Sequence, residues 1–248
     1  MADYVYGINP VREALRGGRR RPLELLLAAG ARSPRLDPLV ADAREAGLPV
    51  RSRDRRDLDR LAGTPHHQGI LLALEPFPYA ELDQLLARWK QSGEQAFFLL
   101  LDGITDPHNL GAIVRSAESA GCHGVIVPRD RSCPVTAVVD KSSAGALEHI
   151  PLCRVTNLAR TLEVLKQAGV WCYGLAGEEG AAPLFAADLA VDLALVVGSE
   201  GSGLRPNVRR HCDGLLAIPG RGRVGSLNAS VAAGIALFEV VRQRGEGK

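Results

Sequence analysis

Apolar residues along this chain fall into short runs with two alternating rhythms. Residues 23–28 read as a strand, 38–46 as a helix, 48–51 as a strand, 54–62 as a helix and 69–74 as a strand. Two prolines two apart in Glu75-Pro76-Phe77-Pro78-Tyr79 stop regular structure. A polar amphipathic helix follows over 80–91, and Ser92-Gly93-Glu94 ends it. The run 97–101 is continuously apolar, like a parallel strand buried on both faces. Strands at 124–128, 151–155, 171–176, 193–197 and 214–218 then alternate with helices at 109–120 and 158–168 and with helical residues within 134–146. The last helix is expected over 226–242. Such alternation predicts an α/β layer fold with a mostly parallel sheet, whose ligands sit at the carboxyl ends of the strands. The expected division is a small domain at 1–76, a linker at 77–95 and a larger domain at 96–248.

Composition narrows the classes. Of 248 residues, 46% are hydrophobic and 23% charged, which excludes wholesale disorder. No apolar run reaches the length of a membrane span, and the first residues carry neither a basic nor an apolar leader region. A cytosolic chain is expected. Five cysteines spaced irregularly give neither a disulfide framework nor a zinc pattern, so buried thiols are expected. Histidines are scattered except for His66-His67, whose rings point to opposite sides of an extended chain. No metal site is expected.

The net charge of +2 hides an asymmetry, because residues 1–90 hold 15 basic and 12 acidic side chains. Arg16, Arg19, Arg20 and Arg21, with Arg51, Arg53, Arg55 and Arg56, are a candidate footprint for nucleic-acid phosphates. Genomic preference for arginine explains the same residues without function.

Three loops follow strand ends. The first, Asp102-Gly103-Ile104-Thr105-Asp106-Pro107-His108-Asn109, enters a helix bearing Arg115. Leu110, Ile113, Val114 and Ala117 form one stripe, and Arg115 lies about 150° from its centre. It is either a solvated arginine paired with Glu118 or a group presented to a ligand. The second, Gly198-Ser199-Glu200-Gly201-Ser202-Gly203, lets backbone approach a ligand closely, or is a plain surface loop or helix cap. The third spans 218–228, and its Gly220, Gly222 and Gly225 match G-x-G-x-x-G. A dinucleotide fingerprint needs a following strand, for which too little chain remains.

Taken together, these loops resemble the signature motifs of the SpoU family, the TrmH-type branch of the SPOUT methyltransferases. The residues concerned are Asn109-Leu110-Gly111-Ala112-Ile113-Val114-Arg115-Ser116-Ala117, then Leu195 to Leu204, then Ile218-Pro219 with Ser226-Leu227-Asn228-Ala229-Ser230-Val231-Ala232. Tyr6-Gly7-Ile8-Asn9-Pro10-Val11-Arg12-Glu13-Ala14-Leu15 and His67-Gln68-Gly69-Ile70 are similar to the family's substrate-binding domain. The segment 220–225 departs from the family in its richness in glycine and arginine.

The resemblance implies an α/β fold: a trefoil-knotted C-terminal domain with a mostly parallel sheet, behind a small L30-like αβ domain. It implies a homodimer that binds S-adenosylmethionine through backbone at Gly198, Gly201, Ile218 and Leu227. It implies 2′-O-methylation of a guanosine in the peptidyl-transferase P-loop of 23S rRNA, with no metal and no membrane. The alternatives are a tRNA ribose methyltransferase of the same family and a non-catalytic RNA-binding assembly or resistance factor. The catalytic residues implied are Arg115, Asn109, Glu200, Ser226 and Asn228. Family members are taken to use the matching arginine as a base. A guanidinium that stays protonated is better suited to binding phosphate and hydroxyl and orienting them. Glu200 is its expected anionic partner.

Overall fold

The structure, a computed structural model, describes residues 3–16, 20–30, 33–177, 180–222 and 225–245. Its elements in chain order are β1 (Asp3–Tyr6), α1 (Ile8–Leu15), β2 (Pro22–Ala28), α2 (Asp37–Glu45), β3 (Val50–Arg53), α3 (Arg55–Ala62) and β4 (Ile70–Leu74). Then come α4 (Leu82–Ser92), β5 (Phe97–Asp102), α5 (Pro107–Ser119), β6 (Gly124–Pro128), α6 (Ala137–Ser142), β7 (Leu152–Val155), α7 (Leu158–Gln167) and β8 (Trp171–Leu175). The last are β9 (Ala182–Pro183), β10 (Leu193–Gly198), α8 (Pro206–His211), β11 (Gly214–Ala217) and α9 (Ala229–Gly245). They divide into two compact units: Met1–Pro78 with Pro134–His149, and Tyr79–Cys133 with Ile150–Lys248.

In the first unit the sheet order is β1-β4-β2-β3, with only β2 and β3 parallel. Leu25, Ile70, Leu72 and Leu74 pack with Val11, Leu39 and Ala43 of α1 and α2. Leu26, Ala28 and Leu71 pack with Leu58 and Ala62 of α3. Alternate strand residues thus serve opposite cores. The sequence reading leaves β1 and α1 unassigned. The strand has only four residues, and α1 starts straight after Gly7 at φ 93° with no side-chain cap of its own. Its Ile8 N–H instead donates to Gln68 Oε1 at 2.8 Å, a partner sixty residues away.

The segment Pro134–His149 joins this unit through a sealed ionic cluster. Arg20 Nε donates to Glu148 Oε1 at 2.7 Å, and its two terminal nitrogens donate to Asp140 Oδ1 at 2.7 Å and Oδ2 at 3.2 Å. The three side chains are 1%, 2% and 5% exposed, which corrects the placing of Arg20 on a basic surface. Arg16, Arg21, Arg51, Arg53, Arg55 and Arg56 are exposed, and Arg19 lies outside the described residues. One guanidinium cannot neutralise two buried carboxylates. Burial therefore pushes the Asp140 carboxyl up to about 6, with Glu148 adding to the rise and Arg20 opposing it.

The second unit holds a sheet ordered β7-β6-β5-β10-β8-β11-β9, parallel at every pairing. Phe98, Leu100, Ile126, Ala194 and Val196 pack with Leu85 and Trp89 of α4, Leu158, Leu162 and Leu165 of α7 and Val208 of α8. Leu99, Leu101, Val125, Leu195 and Val197 are equally buried. By alternation they face the other side, where α5 and α9 lie together, α9 also meeting β10. Helix starts differ from expectation where side chains cap them. Asp106 accepts from His108 N and Asn109 N, so α5 begins at Pro107. Asn228 Oδ1 accepts from Ser230 N at 2.9 Å and Val231 N at 3.3 Å, so α9 begins at Ala229, not 226.

No described helix is long and apolar enough to cross a membrane. Among the described residues no three His, Cys, Asp or Glu gather as a metal site would need. His67 is buried, its Nδ1 accepting from Gly69 N at 3.0 Å, which leaves Nε2 to donate to Asp59 at 3.0 Å. Cys122, Cys133, Cys153 and Cys172 are buried, and burial pushes the Cys153 and Cys172 thiols up to about 12.

Candidate active site

The geometry starts from two adjacent strands. β5 and β10 run parallel in a register that sets Gly198 beside Asp102 at their carboxyl ends. After Gly198 the chain doubles back. Ser199 N donates to Gly203 O at 3.1 Å, and Gly203 N returns a bond to Ser199 O at 2.9 Å. A Cβ on Gly198 would lie 2.2 Å from the Gly203 carbonyl carbon, so only glycine allows the reversal.

At the tip of this loop Glu200 ties three signature segments together. Its Oε1 accepts from Asn109 Nδ2 at 2.9 Å, from Asn228 Nδ2 and from Ala229 N at 3.2 Å. Asn228 Nδ2 also donates to Asn109 Oδ1 at 3.0 Å. Asn109 lies in the first turn of α5, Glu200 follows β10, and Asn228 caps α9. A carboxylate at the amino end of α9 also meets the positive end of that helix dipole.

The other expected residues stand apart from this trio. Arg115 is exposed on α5 and makes no hydrogen bond or ion pair among the described residues. That corrects the expected Arg115–Glu200 pair: Glu200 Oε1 takes two amides and a backbone N–H, and Arg115 reaches neither carboxylate oxygen. Arg115 does not pair with Glu118 either. Ser226 is exposed, Ile218 is half-buried, and Leu227 presents 48% of its surface. Gly198 and Gly201 lie in the loop already described. The G-x-G-x-x-G stretch leads straight into α9, the last element described, while Arg223 and Val224 lie outside the described residues.

Several glycines of these loops face open space. A Cβ added at Gly201, Gly203, Gly220, Gly222 or Gly225 meets nothing within 4 Å. With apolar Ile218 and Leu227 close to these glycines in sequence, the residues fit an adenosine-bearing cofactor held by main chain and aliphatic contacts. Sequence reasoning missed Asp102 and Arg205. Asp102 ends an apolar strand, a visible signal, but its partner lies 103 residues on.

Comparison with known proteins agrees with this geometry. The SpoU rRNA Methylase family matches residues 96–238. The RNA 2′-O ribose methyltransferase substrate binding family matches residues 4–80. The chain is 47% identical over 246 residues, 99% of each sequence, to the 23S rRNA (guanosine-2′-O-)-methyltransferase RlmB of Yersinia pestis. It is 44% identical over 247 residues to RlmB of Escherichia coli strain K12, covering 98% of this chain and 100% of that one. Among solved structures it resembles the SpoU methyltransferase AviRb of Streptomyces viridochromogenes in complex with AdoMet. There the TM-score is 0.81 and the identity 29%, over 98% of this chain and 91% of that one. A TrmH/SpoU tRNA modifying enzyme of A. aeolicus matches with TM-score 0.57 and 25% identity, over 66% of this chain and 86% of its own.

Proposed function

The chain belongs to the SpoU rRNA methylase family, and on that premise we propose that it methylates the ribose 2′-oxygen of a guanosine in 23S rRNA from S-adenosylmethionine. The nucleotide proposed lies in the peptidyl-transferase P-loop. The observation that carries this reading is the Asn109–Glu200–Asn228 trio, which gathers three loops at the carboxyl ends of parallel strands. Relatives matched along their whole length bear the rRNA name, whereas the tRNA enzyme covers 66% of this chain.

S-adenosylmethionine supplies a methyl group already activated by the positive charge on sulfur. The backbone at Gly198 and Gly201, with Ile218 and Leu227, holds it. Asn109, Glu200 and Asn228 keep the three loops in one arrangement, so that little ordering is left for the moment of reaction. Arg115 has its fork unspent on its own chain. It grips a substrate phosphate, donates to the 2′-oxygen and eases loss of the hydroxyl proton to phosphate or water. Ser226 supplies a further hydroxyl beside the ribose. No metal takes part.

The active form is a homodimer. Val231, Phe238 and Val241 lie on one face of α9 and are 48%, 50% and 37% exposed. An apolar stripe of that kind on a helix packed on its other side suits a second copy. Phe238→Glu should shift the protein to a monomer in sedimentation. The C-terminal unit is knotted, a reading supported by the return of α9 from beyond β11 to lie beside α5 and β10. Residues 1–76 bind RNA, and the protein acts in the cytosol.

Mapping 2′-O-methylation on RNA from cells with and without the gene tests the whole reading. The expected result is loss of one methylated guanosine in the P-loop of 23S rRNA. An unchanged 23S pattern with a lost tRNA methylation overturns it.

A further inference from the structure

The 198–204 loop has a second anchor besides the trio. Asp102 ends β5 with its side chain fully buried. Its Oδ2 accepts from the backbone N–H of Arg205 at 2.8 Å, and its Oδ1 accepts from Arg205 Nε at 2.5 Å. Arg205 directly follows the 198–204 segment and is the N-cap of α8. One carboxylate therefore grips both the main chain and the side chain at the point where the loop ends. Gly198, where it begins, is the register partner of that same Asp102. The next residue, Gly103, has φ 83°, and a Cβ there would sit 3.5 Å from Ser199 Cβ. On the exit side Leu204 Cδ1 is 2.6 Å from where a Cβ of Gly174 would stand, so the loop also closes onto β8.

A buried carboxylate without a partner is costly, and Arg205 supplies that partner only when the loop is folded back. We infer that Asp102 is a positioning residue for S-adenosylmethionine binding: its buried grip on Arg205 holds the 198–204 loop in the cofactor-ready reversal before the cofactor arrives. The inference rests on the reading that this loop holds the cofactor. Asp102 does not touch the reacting atoms. Its effect falls on affinity, because an unanchored loop must be ordered at the expense of binding.

Asp102→Asn in the full-length protein tests this, since it keeps the shape but turns one acceptor into a donor facing Arg205. In the ligand-free protein, amide hydrogen exchange at residues 203–205 should speed up by about tenfold or more, the scale of a lost bond to a charged group. Calorimetric affinity for S-adenosylmethionine should fall by about tenfold or more, with turnover at saturating cofactor and RNA affinity kept within about twofold. Arg205→Met keeps the backbone bond and removes Nε. It should shift exchange and affinity the same way by less, and it replaces Asp102→Asn if that variant does not fold. Unchanged exchange and affinity overturn the inference, as does a lower melting temperature with unchanged affinity. Gly198→Ala separates the two readings: full cofactor affinity there overturns the cofactor assignment of the loop, and lost affinity there with none lost in Asp102→Asn overturns the anchor alone.

Discussion

The molecule holds two polar clusters that use similar groups to opposite ends. Around Arg20, two carboxylates and a guanidinium are shut away from water. Around Glu200, a carboxylate and two amides sit at an exposed meeting of loops. In the sealed cluster a charge has nowhere else to go, so removing one partner exposes the others to the full cost of desolvation. In the open cluster water can replace any lost bond, so the same deletion costs little stability. What it disturbs is the relative placing of Asn109, Glu200 and Asn228. Of these two clusters, the sealed one around Arg20 holds the fold, and the open one around Glu200 sets geometry for chemistry.

The sharpest way to break this comparison is Arg20→Ala. It leaves Asp140 and Glu148 buried without a cation and should cost about 3–5 kcal/mol in urea unfolding, with cofactor affinity unchanged. Triple replacement by Arg20→Met, Asp140→Asn and Glu148→Gln should recover most of that loss. A stable Arg20→Ala would show that the cluster is not what holds Pro134–His149.

Next in size is Arg115→Ala, which should fold and bind cofactor normally while turnover falls by roughly 100-fold, about 2.7 kcal/mol of barrier. Arg115→Lys distinguishes a clamp from a base. Lysine keeps the charge but loses the planar fork, so a clamp stays poor at every pH, whereas a base regains activity as pH rises towards the lysine pKa. Full turnover in Arg115→Ala would return the residue to the solvent-facing role.

Asn228→Asp sharpens the open side. Aspartate still caps α9, so stability should hold, but the donor to Glu200 and Asn109 becomes a second carboxylate. Turnover should fall by about tenfold, or ~1.4 kcal/mol. A matching drop in melting temperature would mean the trio serves stability after all.

The most gradual effect is a slope. Asp140 is held up to about 6, so the native state takes a proton more readily than the unfolded chain. The stability this brings is whole below the ordinary carboxylate range and is lost as pH rises through about 6. Asp140→Asn should remove that dependence, and wild type minus variant should fall by no more than about 1.4 kcal/mol per pH unit over that window. A flat difference curve would mean that burial does not hold the Asp140 carboxyl up.

The sequence shows one side of this comparison far better than the other. Parallel strands such as 97–101 and 193–197 are legible because burial on both faces leaves an unbroken apolar run. Asn109, Glu200 and Asn228 are legible as motif members, yet their partnering is not. It depends on how the loops after β5 and β10 meet the cap of α9, where Glu200 bonds two amides and not Arg115. The sealed cluster is not legible at all. Arg20 reads as one of several neighbouring arginines, and nothing local points to carboxylates 120 and 128 residues further on.

That separation has a temporal side. On the ribosome Arg20 emerges long before Asp140 and Glu148 have been made. At about 5–20 residues per second, the nascent unit spends several seconds with its guanidinium hydrated. Its two apolar cores need only residues 4–74 and Ala137 at their edge, so they can close during that interval. The ionic site is the last part of the unit to be sealed. A gene fusion that transplants residues 1–78 as one continuous cassette would carry the guanidinium and leave both carboxylates behind.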